Sequence, residues 1–275
     1  MGIFDFIVVP FYLLLFAFIF SKIRNTYKDP ILKKYHNQGF WIKVIACVAF
    51  TIFNAYVSPG DSTGLYHDEG VNIHNLILHD FRNIDLLFSE GKNFDENLLR
   101  NPANAGYFKS PSNFLISKMV AFCCFFTFSK YMVINLIFAL IAFSGSWKLF
   151  LFFYEQHPKL HKKFAIAILY LPTFVFWSAG ILKDSICVAA VGWITYGLYE
   201  IFYRKTGLIK NSIIVLVFSY LLIVLNVYIL ISYVPFFILF IILKNIQHVN
   251  NIALKDLVAP ELIVGSRRAF NKEKS

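Results

Sequence analysis

The fold this sequence predicts is all-α: a polytopic membrane helix bundle of about seven transmembrane helices, with an interfacial helix and one long outer loop. Three observations carry it. Of 275 residues, 58% are hydrophobic and only 15% charged, with 32 Phe and 15 Tyr, a balance that a soluble domain of this size does not keep in solution. Several apolar runs reach the roughly 20 residues that an α-helix, rising about 1.5 Å per residue, needs to cross hydrocarbon. Charge is also segregated: residues 58 to 112 hold eight acidic residues against four basic ones, although the chain as a whole carries a formal +10. Short basic loops between apolar runs are what the positive-inside rule produces, so the basic balance reads as topology, with no nucleic-acid partner.

Residues 3 to 21 are the first span. They lack a basic leader region, and a basic loop follows them where a secretory signal would have a small-residue cleavage site. That loop carries Lys22, Arg24, Lys28, Lys33 and Lys34 against Asp29, so it is cytoplasmic and the N-terminus lies outside. Residues 41 to 57 return the chain to the outer side, where the acidic loop 58 to 112 begins. Residues 113 to 128 are apolar but short, with Lys118 inside. If they crossed, the loops at Lys159, Lys162 and Lys163 and at Arg204, Lys205 and Lys210 would both fall outside. As a half-inserted interfacial helix they leave every basic loop cytoplasmic.

The remaining spans are 131 to 153, 164 to 180, 185 to 203, 211 to 226 and 228 to 244. Asn226 marks the outer turn between the last two, and Pro172 and Pro235 kink their helices. Residues 1 to 245 thus form the membrane domain and 246 to 275 a basic cytoplasmic tail. Cys47, Cys123, Cys124 and Cys187 all lie in apolar runs without ligand spacing, so neither a disulfide framework nor a zinc site is expected.

Chemistry concentrates on the outer side. Lys183-Asp184 stands between two apolar runs, and either group alone costs roughly 2.5 to 3.5 kcal/mol at mid-bilayer, so the pair marks a wet cavity or polar ligand. The competing reading is a salt bridge capping the next helix, with Asp184 favoured by the helix dipole. At the start of the outer loop, Pro59-Gly60-Asp61-Ser62 and Tyr66-His67-Asp68-Glu69-Gly70 place Asp61, Asp68 and Glu69 close together. Carboxylates so placed can deprotonate an acceptor or hold a divalent cation against a phosphate, which is the one cofactor the chain suggests and leaves open. Asp61, nearest the membrane and aimed by the Pro-Gly turn, is the strongest of them. Asp80, Asp85, Glu90, Asp95 and Glu96 read as loop-solubilising acids, and His67 as a surface histidine. Lys109, in Tyr107-Phe108-Lys109-Ser110-Pro111, sits at headgroup level as either a phosphate anchor or an interfacial anchor.

These features resemble the GT-C superfamily of membrane glycosyltransferases. The likeness rests on Asp61 in Gly-Asp-Ser after an early span, and on the aromatic stretch Tyr107 to Pro111 before an interfacial helix. It rests also on two spans joined by a basic loop, and on the stretch from Pro172 through Trp177-Ser178 to Asp184. It covers about residues 55 to 235 and is nearest to EpsG-like membrane proteins of bacterial exopolysaccharide loci. The resemblance implies a bacterial inner-membrane protein acting on a polyprenyl-phosphate-linked sugar at the outer face. Asp61 would then be the base or metal-linked acid, Asp184 a second outer-loop acid, Lys109 a phosphate anchor and Lys183 a neighbour of the leaving phosphate. Asp68 and Glu69 join the substrate-binding set. No Asp-x-Asp is present and the chain is shorter than most such enzymes.

Two other readings stay open. A non-catalytic membrane subunit binding a protein partner through its outer loop and helices suits the short length. A small transporter ranks last, because no paired repeat is visible and no ionisable residue is expected in mid-span beyond the Lys183-Asp184 turn.

Overall fold

The computed structural model describes residues 5–89 and 95–246, and every regular element among them is a helix or helical turn. The expected tail beyond Ile246, and Glu90, lie outside the described residues. Five helices are long and apolar enough to cross a membrane: Ile7–Thr26, Pro30–Val57, Tyr131–Gln156, Lys183–Arg204 and Leu208–Ile241. The sequence predicts seven spans; among the described residues 164–180 is a broken helix and 211–244 lies in a single helix, while the expected 41–57 span starts earlier.

Helix α1 (Asp5–Thr26) is connected by three residues to α2 (Pro30–Ile52), which begins well before residue 41. Asp29 caps α2 by accepting the Ile31 N–H at 2.8 Å, and Pro30 occupies the first turn, where its missing N–H costs nothing. Lys33 and Lys34 ride the exposed face while Tyr35, His36 and Phe40 are buried, so the supposed loop is an amphipathic first turn of the helix.

The described residues of the 58–112 segment fold instead of trailing as loop. After a helical turn over Asp61–His67, α3 (Asp68–His79), short helical turns and α4 (Ala105–Phe108) lead into α5 (Pro111–Thr127). Ile73, Ile77, Leu99, Phe108, Phe114 and Ala121 form a core between them. A Cβ on Gly70 would stand 2.4 Å from Val120 Cγ1, so α3 and α5 approach at a distance only glycine permits. Helix α5 is too short to count among the five spans. Phe122, Phe125, Phe126 and Phe128 are exposed at its end.

Helix α6 (Tyr131–Gln156) and helix α9 (Lys183–Tyr199) form the centre of the bundle. A Cβ on Gly192 would meet Gly145 O at 1.9 Å, and one on Gly145 would meet Ala189 Cα at 2.4 Å, so the two backbones touch through small residues, as membrane helices do. The two helices run parallel. Tyr154, late in α6, donates to Asp29 at one end of the bundle, while Asn135, early in α6, bonds Thr51 and Ile181 at the other.

The chain therefore returns between them, and it does so as a broken helix. Helix α7 (His161–Ala165), a turn over Ile166–Tyr170 and α8 (Pro172–Trp177) follow α2 along its length. Tyr35 contacts His161, Gln38 accepts from Tyr170, Lys43 reaches Val175 and Ser178, and Phe50 packs on Phe176. Pro172 does not kink a continuous helix; Leu171 is extended (φ −60°, ψ 113°) and Pro172 starts a new one.

Helix α10 (Leu208–Ile246) contains one residue with non-helical φ/ψ, Asn226, near the boundary at Val227 between two compact units. In the first unit Trp193 of α9 stacks on Phe218, with centroids 6.0 Å apart and planes 1° from parallel. In the second, Tyr233 stacks on Phe237.

Candidate functional site

The turn Ser178–Leu182 brings Lys183 and Asp184 to the end of the bundle where α2 finishes. Asn135, fully buried on α6, is its clamp: its Nδ2 donates to Thr51 Oγ1 at 3.0 Å and its Oδ1 accepts the Ile181 N–H at 2.9 Å. Ser185 Oγ donates to Gly180 O at 2.6 Å, closing the turn from the α9 side. Gly180 is required by contact, since a Cβ there would stand 2.1 Å from Phe50 Cε1. The turn thus hands α9 its first residues in one fixed direction. Asp184 lies in the first turn, where the helix dipole favours an anion. Lys183 Nζ donates to Ser112 Oγ at 2.8 Å, tying α9 to the start of α5.

Asp61 is delivered to the same neighbourhood from the other direction. It opens the turn that follows Pro59-Gly60, and its Oδ2 accepts a 2.8 Å hydrogen bond from the Tyr107 hydroxyl. Tyr107 Oη also lies 2.8 Å from Tyr66 Oη, and Tyr66 Oη lies 3.3 Å from Asn113 Oδ1. Each phenol has a single proton. With Tyr107 donating to the carboxylate, the short bond to Tyr66 is satisfied when Tyr66 donates to Tyr107, leaving its longer contact to Asn113 secondary. Asn113 Nδ2 donates to Tyr107 O at 2.7 Å, so the start of α5 fixes the Tyr107 backbone as well. Burial raises both tyrosine pKa values, and in Tyr107 the bond it donates to Asp61 adds to it. Both phenols therefore stay neutral donors, and Asp61 Oδ2 is the acceptor at the end of this group. Asp61 and Asp184 both act electrostatically on Lys183 and on Tyr66, which puts two carboxylates and an ammonium in one field.

The other sequence candidates sit elsewhere. Glu69 is 3% exposed and both its oxygens are occupied: Oε1 accepts from Asn72 Nδ2 at 3.0 Å and Oε2 from the Arg100 N–H at 3.1 Å. Burial raises its pKa. Asp68 pairs with Arg100 Nη1 at 3.1 Å, and His67 and Arg100 hold its carboxyl below the ordinary range against the opposing effect of burial. Asp68, Glu69 and Arg100 line a separate polar cavity of about 290 Å³. Lys109, only two residues from Tyr107, extends its ammonium to Glu96 at 2.8 Å, with both side chains more than half exposed. Among the described residues no three His, Cys, Asp or Glu side chains gather as a metal-ligand set. With Asp61 and Asp184 as its two carboxylates and Lys183 beside them, this cluster does not fit a dedicated cation site, and no chemistry is routed through one.

A mostly apolar cavity of about 490 Å³ adjoins the cluster, lined by Val9 and Pro10 of α1, Tyr56, His67, Lys130 and Tyr131. Tyr131 connects the two, because its hydroxyl lies 2.8 Å from Ser62 Oγ, next to Asp61.

Sequence reasoning missed two sets of residues. Tyr66 and Tyr107 stood inside two motifs and Asn113 at the start of the expected interfacial helix, yet pairing across 41 or more residues has no signature in spacing. Lys43 corrects the expectation that mid-span ionisable residues are absent: it is 4% exposed and its ammonium bonds Ser178 Oγ at 2.5 Å and Val175 O at 3.2 Å. With α2 starting at Pro30, the lysine lies well inside the helix instead of near its entrance. The four cysteines are free, as their apolar settings suggested. No known family model, curated protein or solved structure matches this chain.

Proposed function

We propose that this chain is a GT-C-like, EpsG-related glycosyltransferase or polysaccharide polymerase of a bacterial inner membrane, acting on a polyprenyl-phosphate-linked sugar at the outer face. One observation carries the reading: Asp61, Lys183 and Asp184, from segments more than a hundred residues apart, share one electrostatic neighbourhood beside an apolar cavity. A glycosyl phosphate already has a good leaving group, so its transfer requires positioning, charge stabilisation and acceptor deprotonation. Asp61, held by the Tyr107 hydroxyl, takes the acceptor proton. Lys183, in the field of both carboxylates and held by Ser112 Oγ, stabilises charge on the departing phosphate. Asp184 adds to that field from the first turn of α9.

The test is glycan assembly in cells carrying Asp61→Asn or Asp184→Asn. Loss of product at normal protein levels is the expected result, and normal product from both variants removes these carboxylates from any mechanism. The alternative, a non-catalytic subunit of an envelope complex, is favoured by one observation: Asp68, Glu69 and Lys109 are all engaged in internal pairs. On that reading both variants keep product, while a purified complex shows a partner seated on residues 58–112.

A further inference from the structure

The end of the bundle opposite Asp61 holds a second polar feature that this proposed reaction does not use. Helices α1 and α2 flank there a cleft of about 250 Å³, lined by Ala17, Phe20, Ser21 and Arg24 on one side and His36, Asn37, Phe40 and Trp41 on the other. We propose that this cleft binds the phosphodiester headgroup of an anionic membrane phospholipid.

The argument starts from the charge on Arg24. Its Nη1 donates to Asn37 Oδ1 at 3.1 Å, its Nη2 to Ser21 Oγ at 3.2 Å, and Nε and Nη2 approach Asn25 Oδ1 at 3.4 Å. Every one of these acceptors is neutral. They aim the planar fork without cancelling its charge, and a guanidinium fork matches two oxygens of a phosphate. The nearby sequence supplies no counterion. Asp29 is the one acid between residues 22 and 34, and both its oxygens are occupied, Oδ1 by the Ile31 N–H at 2.8 Å and Oδ2 by the Tyr154 hydroxyl at 2.5 Å. Among the described residues no carboxylate pairs with Arg24, which stands beside Lys22, Lys28, Lys33 and Lys34 in sequence and is open to an external anion.

The shape of the cleft selects a lipid over a free ion. Polarity runs along its length: Arg24, Ser21 and Asn37 stand at the loop end, while Ala17, Phe40 and Trp41 stand deeper in the helix pair. The seven helical steps from Ala17 to Arg24 span about 10 Å along α1, enough for a phosphate and the glycerol behind it. Trp41 is 43% exposed at the apolar end, the position an amphipathic ring takes beside a headgroup. An inorganic phosphate would use the loop end alone and leave the aromatic walls bare.

The experiment is native mass spectrometry of the full chain released from detergent micelles containing phosphatidylglycerol and phosphatidylcholine. The wild type retains phosphatidylglycerol in preference, and Arg24→Gln loses that preference by about tenfold, the scale of one hydrogen bond to a charged group. Lys22→Gln is the control. It removes the same charge from an ammonium that lies over the Phe18 ring, 4.6 Å from its centroid, outside the cleft. It keeps the preference. Arg24→Lys keeps charge but loses the fork and falls between them. Asn37→Ala, which frees the guanidinium, lowers retention too, and it decides the matter should Arg24→Gln fail to fold. Equal losses in Arg24→Gln and Lys22→Gln would mean a diffuse basic belt and overturn the proposal. So would displacement of the lipid by millimolar inorganic phosphate, or a wild type without preference. None of these readouts depends on glycan assembly, so the headgroup site and the proposed reaction fail separately.

Discussion

Tyr107 donates its phenolic hydrogen to Asp61 at 2.8 Å, joining the end of the acidic segment to its beginning. Removing the hydroxyl leaves Asp61 in place but without its aiming bond. On the proposed reaction, Tyr107→Phe is expected to keep protein level and lower glycan assembly, whereas Tyr66→Phe, one bond further away, has the smaller effect. Because Asp61 is exposed, the stability change from Tyr107→Phe stays near about 1 kcal/mol, the ordinary net worth of a hydrogen bond. Product yield measured beside thermal unfolding separates the two effects. An equal loss of yield and folded protein would reduce the bond to a structural tie.

Lys43 has the opposite profile. Its ammonium caps the C-terminal end of α8 through Val175 O and Ser178 Oγ, where the helix dipole favours a cation, yet it is buried without a carboxylate bonded to it. Both of its partners are neutral, so removing the lysine strands no opposite charge. Lys43→Met is thus expected to leave unfolding within about 1 kcal/mol of wild type. The Ser178–Leu182 turn then loses its tie to α2, and a cysteine placed at Asp184 labels faster with a polar maleimide. Slower or unchanged labelling would show that Asn135 and Ser185 hold the turn by themselves.

The helices were legible in the sequence where run length alone decides them, as in α1 and α6. The break at Leu171 was legible only as a proline, because apolar content does not distinguish a kinked helix from two helices meeting end to end. Residues 58–112 looked like a loop because their charge is high, yet Ile73, Ile77, Leu99 and Phe108 give them a core that is built from non-adjacent segments. Asp61 and Asp184 were singled out by chemistry and position. Tyr107 and Lys43 acquire their roles from partners 46 and 135 residues away, which local pattern does not encode.

Asp68 and Glu69 respond to acid with opposite sign. The carboxyl of Asp68 is held low, so its stabilisation is full above about pH 4 and is lost as pH falls through its folded value. Glu69 is raised by burial, so its contribution is full below about pH 4 and is lost as pH rises through its folded value. Asp68→Asn is therefore expected to lower stability at pH 7, by less than about 1 kcal/mol given its solvent screening, and to flatten the decline toward acid. Hydrogen exchange of α3 followed from about pH 5 down to about pH 2 reads this directly. A steeper acid decline in the variant would contradict the assigned pairing.

The close-packed glycines differ in reach. Gly192→Ala puts a methyl group against the α6 backbone at Gly145 O, which has no rotamer by which to yield, so α6 and α9 must separate along the bundle. Gly180→Ala meets the Phe50 ring, which can tilt, and the displacement stays with the turn. Gly192→Ala is expected to lose more extractable protein and more thermal stability, with overpacking costing about 1 to 3 kcal/mol or beyond. Gly180→Ala is expected to keep folding and lose glycan assembly. The reverse order would place the rigid contact at the turn.

The broken return through α7 and α8 makes a topological prediction that the five long helices alone do not. Lys159 lies at the bundle end of Asp29 and Tyr154, whereas Lys183 begins α9 at the end of Asp61. If residues 161–177 carry the chain across, single cysteines at 159 and 184 report opposite compartments. In intact cells a membrane-impermeant thiol reagent is expected to label the cysteine at 184, and to label the one at 159 only after lysis. The native cysteines all lie within apolar helices, three of them buried and Cys123 partly so, and contribute little background. Equal labelling of both positions before lysis would mean that α7 and α8 dip in and return, and would turn the basic loop at Lys159, Lys162 and Lys163 to the same side as the acidic segment.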